Sequence, residues 1–288
     1  MPTQNSTLTS QGGELAALLR NWRRVRGKSQ LDLSLDTGVS QRHISFIEIG
    51  RSAPSRQMLI DLATALDMPL RDRNTLLLAG GYAPIYADSA WDGPEMRSIT
   101  KALERVLRQH EPFPALVMDR YWNVLMTNRA APRFFGRFTD LSARKSPRNM
   151  LHLMFDPDGM RPFVANWRAV AESLIQRVYR EAIGRVVDDK VKDLLSSLLA
   201  YPDVESGWTV PKATNVQPAM PVIPIGFIKD DKVLHYFSMV TTVGTPQTVA
   251  AEELRIECMF PADEATEALH AALVGHDLEQ SPEHIAKH

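Results

Sequence analysis

Gln41, Arg42, Ser45 and Phe46 belong to one stretch, GVSQRHISFIEIG (residues 38–50), whose apolar residues repeat at helical spacing and leave these four off the apolar face. The chemistry open to them is the reading of flat polar edges. A glutamine amide pairs bidentately with adenine, a guanidinium does the same with guanine, and an aromatic edge packs on a thymine methyl. Ser29, Gln30 and Ser40 stand at helix starts, where backbone N–H groups and the helix dipole welcome a phosphate. Lys28 and Arg51 place cations nearby, Lys28 with the reach for a phosphate. A solvated polar face on an unrelated helical bundle is the other reading of the same residues.

The elements that must position this set fill residues 11–80. GELAALLRNWRRVR puts Leu15, Leu18, Leu19 and Trp22 on one side and ends at Gly27. Ser29, with Asp32 three residues on, caps a second helix anchored by Leu33. Thr37-Gly38 closes it, and Ser40 caps a third, in which Val39 and Ile44 have the spacing of a hydrophobic staple. Gly50 ends that helix, Pro54-Ser55 opens a fourth through Leu66, and Pro69 opens a fifth through Leu78. A helix ending in a tight glycine turn before a second capped helix is the geometry that puts helix N-terminal residues into the DNA major groove.

The wider pattern of residues 19–70 resembles the phage-repressor or XRE class of helix-turn-helix domains. The matching elements are Arg23, Gly27, Ser29-Gln30, Leu33, Gly38-Val39-Ser40, Ile44, Glu48-x-Gly50-Arg51, Pro54-Ser55 and the L-x-x-L-A-x-A-L of helix four. That resemblance implies DNA binding and a buried structural pair between Arg23 and Glu48. Lys28 departs from it, since the class has an apolar residue there.

Bulk properties agree with this reading without deciding it. The chain has 288 residues, 44% hydrophobic and 23% charged, with net charge −1, enough for two domains. Residues 11–80 carry ten Lys/Arg against seven Asp/Glu, so a slightly basic module sits beside an acidic remainder. No apolar run is long enough to cross a membrane, and the polar start MPTQNSTLTSQGG is no signal peptide. One cysteine, Cys258, makes no internal disulfide, which fits a cytoplasmic location.

Beyond the module, GYAPIYADSAWDGP (81–94) breaks the periodicity and reads as a linker. From Glu95 the pattern is mixed. A helix runs to about His110, and two short strands flank a turn at Asp119-Arg120. Helices follow near 129–135, 148–155, 161–183 and 188–200. Two strands then meet at Asp230-Asp231, ELRIECMF makes another, and Asp263 caps a last helix to about Val274. The tail, 277–288, is expected to fray.

The W-N-V-L-x-x-N run (122–128), Phe134-Phe135, Arg148-Asn149 and the F-D-P segment before Trp167 resemble the ligand-binding domain of MmyB-like transcription regulators. The resemblance spans residues 95–276 and implies a PAS-like α/β sensor, with fatty-acyl ligands. Nine methionines in this span suit an adaptable apolar wall, though such residues equally well fill a core. Met118, Trp122, Phe134, Phe135, Met150, Met154, Trp167 and Met239 are the candidate lining. Asn128 and Arg148 are candidates to hold a carboxylate or thioester oxygen at its mouth.

Catalytic signatures are missing. No G-x-S-x-G, phosphate-binding glycine loop or H-E-x-x-H occurs, so no catalytic residue, cofactor or metal site is expected. Asp156-Pro-Asp158-Gly159 lacks the further ligands of a calcium loop. His284 and His288 lie in the tail, and Cys258 has no evident base.

The expected architecture is a mainly α, five-helix phage-repressor-like domain at 11–80 followed by an α/β PAS-like domain at 95–276. The expected function is a transcription regulator, a homodimer on double-stranded operator DNA, that senses a small apolar effector such as a fatty acid or acyl-CoA. The alternative is an antitoxin-like or scaffold DNA-binding protein whose C-terminal domain binds another protein.

Overall fold

Ser29, Ser40 and Ser55 start three of the first five helices in the computed structural model, which describes residues 5–144, 146, 148–183, 188–210, 222, 224–274 and 286–287. Among these residues the chain divides into two compact units. One holds the chain to Ala90 with Ile183–Asp188 and Thr245–Glu252; the other holds Trp91–Ala182, Asp189–Gly244 and the chain from Glu253.

The first unit contains α1 (Asn5–Val25), α2 (Gln30–Thr37), α3 (Gln41–Glu48), α4 (Arg56–Ala65) and α5 (Leu70–Ala79). α1 begins at Asn5, well before the expected Gly13, and residues 5–12 contain no proline to interrupt it. Ser29 Oγ accepts from Asp32 N at 3.1 Å while Ser29 N donates to Asp32 Oδ2 at 2.8 Å, a complete capping box. Ser55 Oγ likewise accepts from Met58 N at 3.2 Å. Gly38 ends α2 at φ 72°, a left-handed conformation that an L side chain adopts only under strain. Leu19, Trp22, Leu33, Ile44, Ile47 and Leu62 form the core, with the other core leucines of α4 and α5 around them.

The expected linker is part of this unit as far as Ala90. Asn74 explains why: its Oδ1 accepts from Ile85 N and Tyr86 N, each at 3.1 Å, and its Nδ2 donates to Tyr86 O at 2.7 Å. Residues 245–252 join the same unit. Val249 N donates to Ala87 O at 2.9 Å, and Glu252 Oε2 accepts from Leu70 N at 2.8 Å, a carboxylate at the N-terminus of α5.

The second unit begins with a 3-10 turn at Pro94–Met96, then α6 (Arg97–Gln109) and the strands β1 (Ala115–Met118) and β2 (Val124–Thr127). Next come α7 (Ala130–Phe135), α8 (Met150–Phe155), α9 (Trp167–Ile183) and α10 (Asp189–Leu199). The remaining elements are β3 (Ile225–Lys229), β4 (Lys232–Thr242), α11 (Val249–Glu253), β5 (Arg255–Pro261), α12 (Glu264–Val274) and β6 (Ala286–Lys287). α11 begins in the segment that belongs to the first unit. The sheet order is β3-β4-β5-β1-β2-β6, with every pairing antiparallel. Asp230 and Asp231 take φ 49° and 60°, as a two-residue hairpin requires. α9 starts at Trp167, later than expected, because Arg161–Phe163 closes as a separate 3-10 turn around Pro162. Within the tail β6 pairs with β2, and the rest of 277–288, including His284 and His288, lies outside the described residues.

Asn128 links the sheet to α7. Its Oδ1 accepts from Ala115 N at 3.1 Å and Ala131 N at 3.0 Å, and its Nδ2 donates to Phe113 O at 2.7 Å. Phe134, fully buried, then packs against Phe135, Phe138, Phe227 and Tyr236 at centroid distances of 5.2–5.4 Å.

Candidate DNA interface and ligand site

On α3 the inward side chains are Ile44, Ile47 and Glu48. Gln41 and Arg42 are exposed, Ser45 and Phe46 half-buried, and the Arg42 guanidinium lies over the Phe46 ring, 5.3 Å from its centroid. The four residues read from spacing therefore share one outward face. Ser40 Oγ accepts from His43 N at 3.3 Å, and the first turn of α3 holds no acidic residue, so its N-terminus keeps a positive potential for a phosphate. Arg51 is exposed.

The neighbouring positions differ from expectation. Ser29 spends its hydroxyl on the capping box, and the Asp32 carboxylate occupies the α2 N-terminus that a phosphate would approach. Gln30 turns inward, where its Nε2 donates to Glu48 Oε2 at 2.8 Å. Lys28 does not reach outward: its Nζ sits 2.6 Å from Asp36 Oδ2 and 2.7 Å from Ala65 O, tying α2 to the end of α4. An acidic partner and a helix-end carbonyl within reach outcompete solvent for a lysine on that loop.

Behind α3, Arg23 Nε and Nη2 meet Glu48 Oε1 and Oε2 at 2.6 and 2.9 Å, while Arg23 Nη1 donates to Lys28 O at 2.8 Å. Arg20 donates to the Glu48 carbonyl. Burial opposes the Glu48 charge, but hydrogen bonds from Arg23 and Gln30 outweigh it and hold the carboxyl below its usual range. Residues from α1 and α2 thus converge on the carboxylate at the end of α3 and tie the three helices together.

The second unit holds a narrow apolar slot of about 40 Å³ between β1, β2, α7 and α8. Leu116, Val124 and Thr127 line it from the sheet, Ala131 and Phe135 from α7, and Met150 and Leu153 from α8. Leu141, Arg148, Asn149 and Leu153 border both this slot and a polar cleft of about 540 Å³. The cleft also carries Arg144, His152 and Asp156. Arg144 Nη1 is 3.0 Å from Asp156 Oδ2, and His152 Nδ1 is 3.0 Å from the Tyr201 hydroxyl. Burial pushes the His152 imidazole below its ordinary value and the Tyr201 phenol above its own. Asn149 Oδ1 caps α8 through Leu151 N and His152 N, while its Nδ2 donates to Tyr121 O at 2.7 Å. Apolar side chains thus line the slot and charged and polar ones the cleft that adjoins it.

Of the expected lining, Phe135, Arg148 and Met150 border the slot. Met118, Trp122, Phe134 and Met154 are packed core, and Phe134 is the hub of the aromatic cluster. Trp167 faces elsewhere, with Arg161 stacked over it at 4.1 Å and its Nε1 donating to Met154 O at 3.1 Å. Met239 is 53% exposed on β4 and borders neither the slot nor the cleft. Asn128 has its oxygen and amide committed to backbone groups, so it holds the fold rather than a ligand. Thr127, Leu141, Arg144 and His152 escaped sequence reasoning; the signal for them was proximity to Asn128 and Arg148 in the motif-bearing runs.

A helix-turn-helix family model matches residues 19–72, and the model described as MmyB-like transcription regulator ligand binding domain matches residues 99–273. The chain belongs to the MmyB-like transcription regulator family. Its α3 lies in the helix-turn-helix match, and the slot and cleft lie in the MmyB-like ligand-binding domain. No curated protein matches the chain. Among the described residues, no helix is long and apolar enough to cross a membrane and no cluster of His, Cys, Asp or Glu has the makings of a metal site. Cys258 is half-buried, and burial pushes its thiol up, the opposite of a reactive cysteine.

Proposed function

We propose that this MmyB-like regulator reads operator DNA with Gln41, Arg42, Ser45 and Phe46 and is switched by an amphipathic, fatty-acyl type effector. The effector's apolar chain enters the slot and its polar head rests in the cleft near Arg148. The observation that carries this reading is the continuity of slot and cleft across Leu141, Arg148, Asn149 and Leu153. At about 40 Å³ the slot is smaller than an acyl chain, so binding must part its walls. That gives the ligand a means of favouring one conformation over another, without which no ligand shifts an equilibrium. The reading is of a cytoplasmic regulator without catalytic activity, working as a homodimer on a two-fold operator, since one such domain contacts only a few base pairs.

The test is a thermal-stability titration with fatty acids from octanoate to stearate and their CoA esters. Each buried methylene contributes roughly 0.8 kcal/mol, so stabilisation should climb with chain length and then level off when the slot is filled. A flat response across the series would remove the acyl effector and leave the DNA-reading face untouched. Sedimentation at micromolar concentration checks the dimer; a monomer both with and without operator would exclude it.

A further inference from the structure

Thr127 occupies the inner part of the slot, because it borders the slot but not the outer cleft, unlike Leu141, Arg148, Asn149 and Leu153. The residue is 6% exposed, and its Oγ1 is fully buried with no hydrogen-bond partner. Leu116, directly opposite it on β1, and Ala131 and Phe135 on α7 offer its hydroxyl nothing to bond. A valine has nearly the same shape and would line this wall without the penalty of an unmet buried hydroxyl. Of the cationic groups, Arg144 borders the cleft alone and Arg148 stands where slot and cleft meet, so Thr127, which borders the slot alone, lies away from that junction and its charge.

We propose that the slot selects a ligand whose apolar body carries one uncharged hydrogen-bonding oxygen, a hydroxyl or keto group, paired with Thr127 Oγ1. This rests on the reading that the slot is the effector site, though not on the effector being a fatty acid. The hydroxyl donates to a ketone and either donates to or accepts from an alcohol. A plain hydrocarbon chain leaves the hydroxyl unmet in the bound state, and sites built to bond a polar group reject analogues lacking it far more strongly than they reject a missing methylene.

Two matched series on the full-length protein test the idea, with affinity read by calorimetry. The first compares dodecanoate with its chain-hydroxylated positional isomers. The second, without a carboxylate, compares the positional decanones with decane. Thr127→Val removes the hydroxyl at constant shape, and Thr127→Ser keeps it; melting curves establish that both fold. The expected result is one positional isomer bound at least about tenfold more tightly than the plain chain, a preference that disappears in Thr127→Val and survives in Thr127→Ser. Decanones that are preferred over decane in a Thr127-dependent way uphold the proposal even where no fatty acid binds, and then only the acyl reading falls. Fatty acids and hydroxy acids bound equally, a preference that persists in Thr127→Val, or no binding in either series would each overturn it.

Discussion

Glu48 in the first unit and Thr127 in the second are both buried polar side chains, and their surroundings treat them oppositely. Glu48 accepts from Arg23 twice and from Gln30 once, partners supplied by two other helices, α1 and α2. Thr127 Oγ1 is buried beside the slot with no hydrogen-bond partner. A satisfied buried group makes a rigid frame, and the first unit uses that frame to aim an outward face at a partner. An unsatisfied group beside space keeps bonding capacity in reserve, which is the property of an interior that receives a guest. On the proposed reading, the first unit's recognition chemistry lies on its surface and the second unit's lies inside.

The largest expected effect breaks the satisfied side of this contrast. Arg23→Ala should destabilise the first unit by about 3–5 kcal/mol, because it leaves the Glu48 charge buried without its main partner. Urea unfolding followed by far-ultraviolet circular dichroism reads this, and the affinity of the second unit for its ligand should not change. Acid acts on the same group. The folded Glu48 carboxyl titrates below its unfolded value of about 4.3, so its contribution is complete above that pH and is lost as pH falls through the folded value. Glu48→Gln should flatten that acid limb while lowering stability at neutral pH.

Next in size is the outward face itself. Arg42→Ala should cost about 1–3 kcal/mol of operator affinity and relax preference at one base pair, with stability nearly unchanged. Equal binding of operator and random DNA by wild type and variant in a shift assay would remove α3 as the reader. Smaller still is Glu252→Gln, which takes a charge from the N-terminus of α5 and should cost about 0.3–1 kcal/mol. Lys28→Ala comes last. Its pairing with Asp36 is partly exposed, so the stability loss should stay under about 1 kcal/mol. The salt dependence of DNA binding should also stay unchanged, whereas a flatter slope would mean that Lys28 leaves Asp36 for a phosphate.

The same contrast explains what the sequence made legible. In the first unit local signals sufficed. Serine caps, left-handed glycines and the spacing of Ile44 and Ile47 set the helices, and outward residues on a short helix follow directly from inward ones. The inward contacts of Gln30 and Lys28 were not legible, because their partners, Glu48, Asp36 and Ala65, are brought near only by tertiary packing. In the second unit the strands, hairpin turns and helices from 97 to 199 followed from periodicity and turn residues. The slot did not. Apolar side chains at a cavity wall and in a solid core carry the same pattern, so Phe134 and Met154 looked no different from Phe135 and Met150. Met239 shows the converse, a methionine on a strand face that the fold leaves open to solvent. Nor does periodicity reveal that residues 245–252 contribute to the first unit, since the capping of α5 by Glu252 joins positions far apart in the chain.

The central claim is that filling the slot alters how the first unit holds DNA. The direct measurement is operator affinity by fluorescence anisotropy, with and without a saturating amount of whichever fatty acid or hydroxylated analogue stabilises the protein most. Coupling of about 1–3 kcal/mol, a change of roughly 5- to 150-fold in operator affinity, is the expected result, with Arg42→Ala weakening DNA binding in both states and leaving ligand affinity as it was. A ligand that stabilises the protein yet leaves operator affinity unchanged would contradict the account.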